Sequence, residues 1–205
     1  MHKKNIQRAG KSLKEAEKVL IMIHGRGVDA RDILGVASHL NVSEYAIFAP
    51  EATNNTWYPF SFMVKPEQNE PWLSSALGLL KEMVDEIKEQ GFSGEDIYFI
   101  GFSQGACLAL EFVSRYAEKY GGIVAFTGGL IGNKINIENY SGDFRKTPIF
   151  IGTGDPDPHV PLERVHQSVD ILEKMNADVH LQVYIGRPHT ISQDEIDQAN
   201  LWIFK

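Results

Sequence analysis

A serine stands between two glycines in the pentapeptide Gly101-Phe102-Ser103-Gln104-Gly105. A serine hydroxyl is a weak nucleophile until a base removes its proton and a fixed backbone presents it to the substrate. A Gly-x-Ser-x-Gly turn between a strand and a helix does the presenting, because the chain reverses so tightly that the serine is strained. The same turn aims the backbone amide of Gln104 at a developing oxyanion. The pentapeptide therefore predicts nucleophilic catalysis by Ser103.

In hydrolases whose nucleophilic serine lies on a strand–turn–helix motif of this type, the general base is a histidine that follows both the serine and the acid in the chain. Four histidines come after Ser103. His166 lies in a predicted helix and His180 in a predicted strand, so we interpret both as structural or exposed. His189 lies in a Gly/Pro loop before the last helix, where the base is expected. His159 is its main competitor, but it shares a loop with the candidate acids.

The acid should lie in a loop at the carboxyl end of a later strand, because ligands bind at those ends in open α/β sheets. Asp155 and Asp157 both follow the apolar run 148–151. Either carboxylate could accept a hydrogen bond from the imidazole, fix its tautomer and stabilise its charged form. Spacing alone leaves both candidates open.

Apolar runs alternate with helical patterns along the chain, which predicts a mostly parallel sheet covered by helices on both faces. A capping box of Ser192 and Glu195 opens the last helix. The predicted strands span 19–23, 45–49, 97–100, 123–126, 148–151 and 179–185, and the predicted helices 31–40, 72–90, 106–119, 162–175 and 192–204.

Composition narrows the classes of function. The 205 residues carry a formal net charge of −7, which disfavours a nucleic-acid partner. The single cysteine, Cys107, excludes an internal disulfide, and no apolar run is long enough to insert stably in a membrane. We therefore expect one soluble domain over 1–205, in the cytoplasm. A homodimer is compatible with the sequence, although no segment locates an interface.

Four segments together resemble the carboxylesterase/phospholipase family of α/β hydrolases, which includes acyl-protein thioesterases. In chain order they are His24-Gly25-Arg26-Gly27, Gly101 to Ala106, Asp157-Pro158-His159-Val160-Pro161, and the loop that contains His189. The resemblance implies an α/β-hydrolase fold. The short segment 132–147 leaves no room for a large cap domain, and the short amino end implies that edge strands are missing or trimmed.

The resemblance also assigns roles within the site. In that family the catalytic aspartate stands three residues before a Val-Pro pair, which here selects Asp157 over Asp155. The second oxyanion donor is the backbone amide just after the first His-Gly pair, here that of Arg26, beside the amide of Gln104. His24 then shapes the oxyanion loop rather than acting as a base.

The irregular segment 51–70 contains a run of large apolar residues. It resembles the loop that lines the acyl side of the site in bacterial relatives, although a packed surface loop is the alternative. The side chains expected to bind substrate are Trp57, Tyr58, Phe60, Phe62 and Met63.

These residues predict a serine esterase that cleaves small carboxylic esters through Ser103, Asp157 and His189, with no metal and no cofactor. The alternative is an acyl-thioesterase or lysophospholipase that acts on longer acyl chains. Cys107 lies on an apolar stretch of the helix after the nucleophile, so we expect a buried structural thiol rather than a second nucleophile.

Overall fold

Seven strands form one sheet in the computed structural model, which describes residues 1–205. The strand order is β1-β3-β2-β4-β5-β6-β7, in which β1 runs antiparallel to β3 and all other neighbours are parallel. The strands are β1 (Ile6–Gly10), β2 (Lys18–Ile23), β3 (Tyr45–Pro50), β4 (Ile97–Phe102), β5 (Gly122–Phe126), β6 (Pro148–Asp155) and β7 (Asp178–Ile185).

Five α-helices cover the two faces of the sheet. They are α1 (Ala30–Val36), α2 (Trp72–Glu89), α3 (Gln104–Arg115), α4 (Leu162–Lys174) and α5 (Gln193–Trp202). Helices α2, α3 and α4 contribute to the larger apolar core on one face, and α1 and α5 to the smaller core on the other. Because both faces are covered, the central strands are apolar on both sides rather than alternating. No helix combines the length and the apolar composition needed to cross a lipid bilayer.

The topology places the site between β2 and β4. From β2 the chain moves outward to β3 and then returns to form β4 on the other side of β2. The loops after β2 and β4 therefore diverge and leave a crevice at the carboxyl ends of the strands, where open α/β sheets bind ligands. The segment His24–Arg26 follows β2 and Ser103 follows β4, so both border this crevice.

The alternating pattern of strands and helices is confirmed, and the boundaries differ by a few residues. The predicted capping box of Ser192 and Glu195 opens α5. The predicted helix 31–40 ends earlier, at Val36, and continues as a single 3-10 turn. Segment 132–147 contains only one short 3-10 helix, Ile137–Asn139, so no cap domain covers the site.

One edge strand departs from the sequence-based expectation. The amino-terminal residues Ile6–Gly10 pair with β3 and form an antiparallel edge, where edge strands were expected to be missing or trimmed. Four of these five residues are exposed. A strand with so little buried surface has no apolar alternation, so its pairing leaves no signal in the sequence.

Candidate active site

Ser103 occupies a strained turn between β4 and α3. Its backbone adopts φ 53° and ψ −115°, outside the regions that non-glycine residues normally occupy. The amide of Ser103 donates to the carbonyl of Phe126 at the end of β5, at 3.0 Å, which ties the turn to the neighbouring strand. Gln104 is the first residue of α3, and the first amides of a helix have no acceptor within it.

The two glycines of the turn are required by close backbone contacts. A Cβ at Gly101 would lie 2.3 Å from the carbonyl oxygen of Gly105, and a Cβ at Gly105 would lie 2.1 Å from that of Ile23. Both distances are far below van der Waals contact, and backbone atoms cannot rotate away as a flexible side chain can. The glycines therefore let α3 approach β2 and β4 closely enough to present Ser103.

We expect Gly105→Ala to prevent folding or to lower the melting temperature severely, because the added methyl group collides with the backbone of β2. Gly78→Ala is a matched control: a Cβ there, on the exposed face of α2, meets nothing within 4 Å. The control should stabilise the protein by about 0.5–1 kcal/mol, since alanine favours a helix over glycine. Thermal unfolding measures both, and a Gly105→Ala protein as stable as wild type would contradict the turn geometry.

Ser103, His189 and Asp157 form one chain of hydrogen bonds. His189 Nε2 lies 2.8 Å from Ser103 Oγ, and His189 Nδ1 lies 2.7 Å from Asp157 Oδ2. The three residues come from the ends of β4, β6 and β7 and are separated by up to 86 positions in the sequence. This is the order of contacts that a nucleophile, a general base and an orienting carboxylate require.

The Asp157 carboxylate is buried and held in its charged form. Burial disfavours the charge, but hydrogen bonds from His189 and from the amides of His159 and Val160 outweigh it, so that the pKa of Asp157 is lowered. The two amides donate to Oδ1 at 2.8 and 2.9 Å, which leaves Oδ2 free to face His189. Asp157 is thus an ionised acceptor at neutral pH.

The lowered pKa of Asp157 makes a prediction about stability. Because the folded pKa lies below the unfolded value of about 3.9, ionised Asp157 stabilises the fold above that value. The contribution is lost as the pH falls through the folded pKa. We therefore expect Asp157→Asn to lower the free energy of unfolding at pH 7 and to differ progressively less from wild type below pH ~4. Denaturant titrations at several pH values test this, and a difference that does not change with pH would contradict it.

His24 supports the loop after β2 from within the core. It is fully buried, and its Nε2 accepts the backbone amide of Ala52 at 3.0 Å. The ring proton therefore sits on Nδ1, which lies 2.7 Å from the carbonyl oxygen of Gly25. Burial lowers the pKa of His24, which keeps the ring neutral. No hydrogen bond joins His24 to Ser103 or Asp157, in keeping with a role in shaping the loop.

The side chains of Arg26 and Gln104 hold the loop 57–60. The Arg26 guanidinium donates to the carbonyls of Tyr58, Pro59 and Phe60 at 2.7–2.9 Å. The side-chain amide of Gln104 accepts from the backbone N–H of Trp57 through Oε1 at 2.9 Å, and it donates through Nε2 to the carbonyl of Tyr58 at 2.8 Å. Arg26 and Gln104, whose backbone amides are predicted to bind the oxyanion, therefore also hold through their side chains the loop that is predicted to bind the acyl group.

A cavity of about 380 Å³ opens onto Ser103 and His189. Three of the five side chains predicted to bind substrate line it, namely Tyr58, Phe60 and Phe62. Phe60 is 55% exposed at the rim, whereas Tyr58 and Phe62 are buried. The other lining residues are Gly25, Arg26, Val28, Pro59, Ser61, Phe102, Gln104, Cys107, His159 and Val160. The surface of the cavity is more apolar than polar, and Ser103 and His189 are part of it.

Two of the five predicted substrate-binding residues lie elsewhere. Trp57 is fully buried and does not line the cavity; its indole donates to the carbonyl of His24 at 2.9 Å. Met63 lines a separate cavity against α4. Trp57 can be buried because its one polar atom is satisfied within the core. It contacts the site through this bond to His24 and through its backbone bond to Gln104.

The residues that competed for roles in the sequence take other positions. Asp155 ends β6, and its backbone carbonyl accepts the amide of Gly186 at 2.7 Å. His180 stacks between Phe150 and Trp202, and His166 is exposed on α4. None of the three side chains contacts Ser103.

Cys107 lies in α3 and is one of the residues that line the cavity. It is 1% exposed, and burial raises the pKa of its thiol to about 12. A thiol with this pKa is protonated at neutral pH and is a poor nucleophile.

Several side chains of the cavity wall are not among those predicted to bind substrate. Val28, Phe102, Val160 and His159 all line it, and the ring of His159 packs edge-on against that of His189 at 4.8 Å. Each lies within three residues of a predicted site residue, so adjacency to the motifs could have found them.

The chain is similar to known proteins over nearly its whole length. The model of the Phospholipase/Carboxylesterase family matches residues 5–205. A solved phospholipase/carboxylesterase from Dyadobacter fermentans is 57% identical, covers 100% of this chain and 98% of its own, and superimposes with a TM-score of 0.98. Acyl-protein thioesterase 1 of Saccharomyces cerevisiae is 29% identical over 97% of this chain and 96% of its own length.

A probable carboxylesterase of Arabidopsis thaliana is 28% identical over 66% of this chain. The match spans only 52% of that relative's length. The family model, in contrast, covers nearly the whole chain, from the edge strand β1 to the last residue. The chain belongs to the phospholipase/carboxylesterase family of α/β hydrolases.

Proposed function

We propose that this protein hydrolyses small carboxylic esters through an acyl-enzyme on Ser103. The observation that carries the proposal is the hydrogen-bond chain from Ser103 through His189 to Asp157, at the wall of a largely apolar cavity. The family to which the chain belongs supports ester-type substrates.

In the first step, Ser103 Oγ attacks the ester carbonyl while His189 Nε2 takes its proton. Asp157 accepts from Nδ1 and stabilises the imidazolium that forms. The carbonyl electrons move onto the oxygen, which the amides of Gln104 and Arg26 stabilise; one such donor is typically worth about 100- to 1,000-fold in rate. When the C–O bond breaks, His189 returns the proton to the departing alcohol.

In the second step, water replaces the alcohol. His189 removes a proton from the water as it attacks the acyl carbon, and the same amides hold the second oxyanion. Collapse of this intermediate breaks the bond to Ser103 Oγ, which regains its proton from His189. The products are a carboxylic acid and the free enzyme, so that every proton removed is returned.

The size and rigidity of the cavity support a short acyl group. Its volume of about 380 Å³ lies near the lower end of the range for small-molecule sites. The side chains of Arg26 and Gln104 hold the backbone of residues 57–60 by five hydrogen bonds, which opposes movement of this part of the cavity wall to admit a longer chain.

Hydrolysis of p-nitrophenyl esters from C2 to C16 tests the proposal. We expect kcat/KM to be highest for short acyl chains. Phe62→Ala should move the optimum towards longer chains, because Phe62 is a buried part of the cavity wall. Met63→Ala, which removes a neighbouring side chain outside the cavity, should not move it. A wild-type optimum at C12 or longer would overturn the short-chain assignment.

A second candidate is an acyl-thioesterase or lysophospholipase that acts on longer chains. The similarity to acyl-protein thioesterase 1 over nearly the whole chain favours it. So does the absence of a cap over the site, which leaves room for a bulky carrier of the acyl group. The same chain-length series, extended to acyl thioesters, separates the two candidates.

A further inference from the structure

The loop that carries His189 lies at the surface with few backbone bonds of its own. Gly186, Pro188 and Thr190 are exposed. Backbone hydrogen bonds hold only the start of the loop, where the amides of Gly186 and Arg187 donate to Asp155 and Tyr184. A catalytic base must nevertheless keep its ring within hydrogen-bond reach of two partners. Some other contact therefore has to fix the loop beyond residue 187.

The side chain of Arg187 provides that contact. Its side chain is only 8% exposed, although it belongs to a surface loop. Nη1 donates to the carboxylate of Glu195 at 2.7 Å and to the carbonyl of Thr190, and Nη2 donates to the hydroxyl of Thr127 at 3.0 Å. Because Arg187 and Thr190 flank His189, the guanidinium holds the loop on both sides of the histidine.

The two partners of Arg187 outside this loop, Glu195 and Thr127, lie next to regular elements of the fold. Glu195 is fully buried in the first turn of α5, where its carboxylate also accepts the backbone amide of Ser192 at 2.9 Å. Thr127 follows β5 directly. The residue before it, Phe126, accepts the amide of Ser103. The guanidinium of Arg187 thus connects the loop 186–191, called the histidine loop below, to the start of α5 and to the end of β5, which supports Ser103.

Stability alone is a poor explanation for this buried ion pair. Removing two charges from water is expensive, and buried pairs can often be replaced by apolar residues without loss of stability. An arginine offers several donors in a fixed plane, which suits the simultaneous orientation of three acceptors. The hydrogen bonds of Arg187 are therefore better explained by the orientation that they impose on the loop than by a gain in stability.

We propose that Arg187 is a positioning residue that holds His189 in place through Glu195, Thr127 and Thr190. The inference rests on the proposed function of Ser103 and His189 and adds a residue that does not itself touch the reacting atoms. A misplacement of about 1 Å in a catalytic group can cost about 100-fold in rate. The loss should appear in kcat rather than in KM, because the cavity wall is unchanged.

The test uses Arg187→Met, which keeps an unbranched side chain about as long as the arginine stem and removes the guanidinium donors. Because this variant leaves Glu195 unpaired, Arg187→Met/Glu195→Gln removes both charges and guards against simple unfolding. We expect kcat on a short-chain ester to fall by about 10- to 100-fold in the double variant, with KM close to that of wild type. Arg187→Lys keeps a positive charge that can pair with Glu195, so its kcat should lie between that of Arg187→Met and that of wild type.

Arg115→Met is the matched control. Arg115 also pairs with a buried glutamate, Glu111, at 2.8 Å, but on α3 and away from the histidine loop. The control should lower the melting temperature and leave kcat unchanged. If the folded double variant keeps the kcat of wild type, or if Arg115→Met loses kcat equally, the proposal is wrong.

An NMR readout separates this proposal from the proposed function. The proton that His189 Nδ1 shares with Asp157 should give a low-field signal, identified by its loss in His189→Gln. We expect the signal to weaken or disappear in Arg187→Met/Glu195→Gln and to persist in Arg115→Met. A wild-type protein that hydrolyses no ester would overturn the proposed function. A signal that persists unchanged in Arg187→Met/Glu195→Gln would overturn the positioning role of Arg187.

Discussion

Replacing Ser103 with alanine is expected to lower kcat for a short-chain ester by about 10⁵- to 10⁶-fold, since removing a nucleophile of this type abolishes the covalent route. KM should change little, because the apolar wall and the oxyanion amides stay in place. The measurement is steady-state hydrolysis of a chromogenic C2 or C4 ester by purified protein, with the folded fraction checked by circular dichroism.

Ser114→Ala is the control for this substitution. Ser114 lies on the same helix as the residues after Ser103, and its hydroxyl is buried without a hydrogen-bond partner. The substitution removes the same hydroxyl group as Ser103→Ala, and the Ser114→Ala protein should retain the kcat of wild type. A Ser103→Ala protein that turns over at the wild-type rate would show that another residue attacks the ester.

The second large effect is expected for Asp157→Asn, about 10⁴-fold in kcat. An asparagine at this position keeps the shape of the side chain, and its oxygen can still accept the amides of His159 and Val160. Its NH₂ group would then face His189 Nδ1, so that Nδ1 becomes the acceptor and Nε2 carries the proton. A histidine in that tautomer cannot accept the proton of Ser103.

Asp155→Asn tests whether the right aspartate has been chosen. Asp155 contributes its backbone carbonyl to the loop, not its carboxylate, so this variant should lose little activity. If Asp155→Asn lost as much kcat as Asp157→Asn, the assignment based on the hydrogen bond at 2.7 Å would be wrong. Both variants are assayed on the same ester as Ser103→Ala.

The parts of the site that the sequence predicts are those carried by short local patterns. The turn around Ser103 combines a buried strand, two glycines and a helix start within a few residues, and each has a separate signal. His189 is predicted because it lies between a strand and a capped helix. Asp157 required the family resemblance, since two aspartates follow the same strand and both satisfy the topology.

The parts that the sequence does not predict depend on contacts between distant segments. Nothing in the irregular segment 51–70 shows that Trp57 faces the core while Phe60 faces the cavity, because an aperiodic loop has no repeating face. Arg187 meets Thr127 across 60 positions of the chain. An isolated arginine in a loop normally indicates a solvated charge, and only the fold reveals that this one is buried.

The roles of Arg26 and Gln104 illustrate the same limit. The resemblance assigns their backbone amides to the oxyanion, whereas their side chains hold the aromatic wall. Under the proposed function one pair of residues serves both parts of the site. We therefore expect a change in the loop 57–60 to alter acyl selectivity and the rate of the chemical step together.

The most direct test of the central claim is to label the protein with a fluorophosphonate, which reacts with an activated serine, and to locate the adduct by mass spectrometry. We predict one adduct per chain, on Ser103, and much slower labelling of His189→Ala. An adduct on any other residue, or a folded wild-type protein that is not labelled at all, would contradict the account.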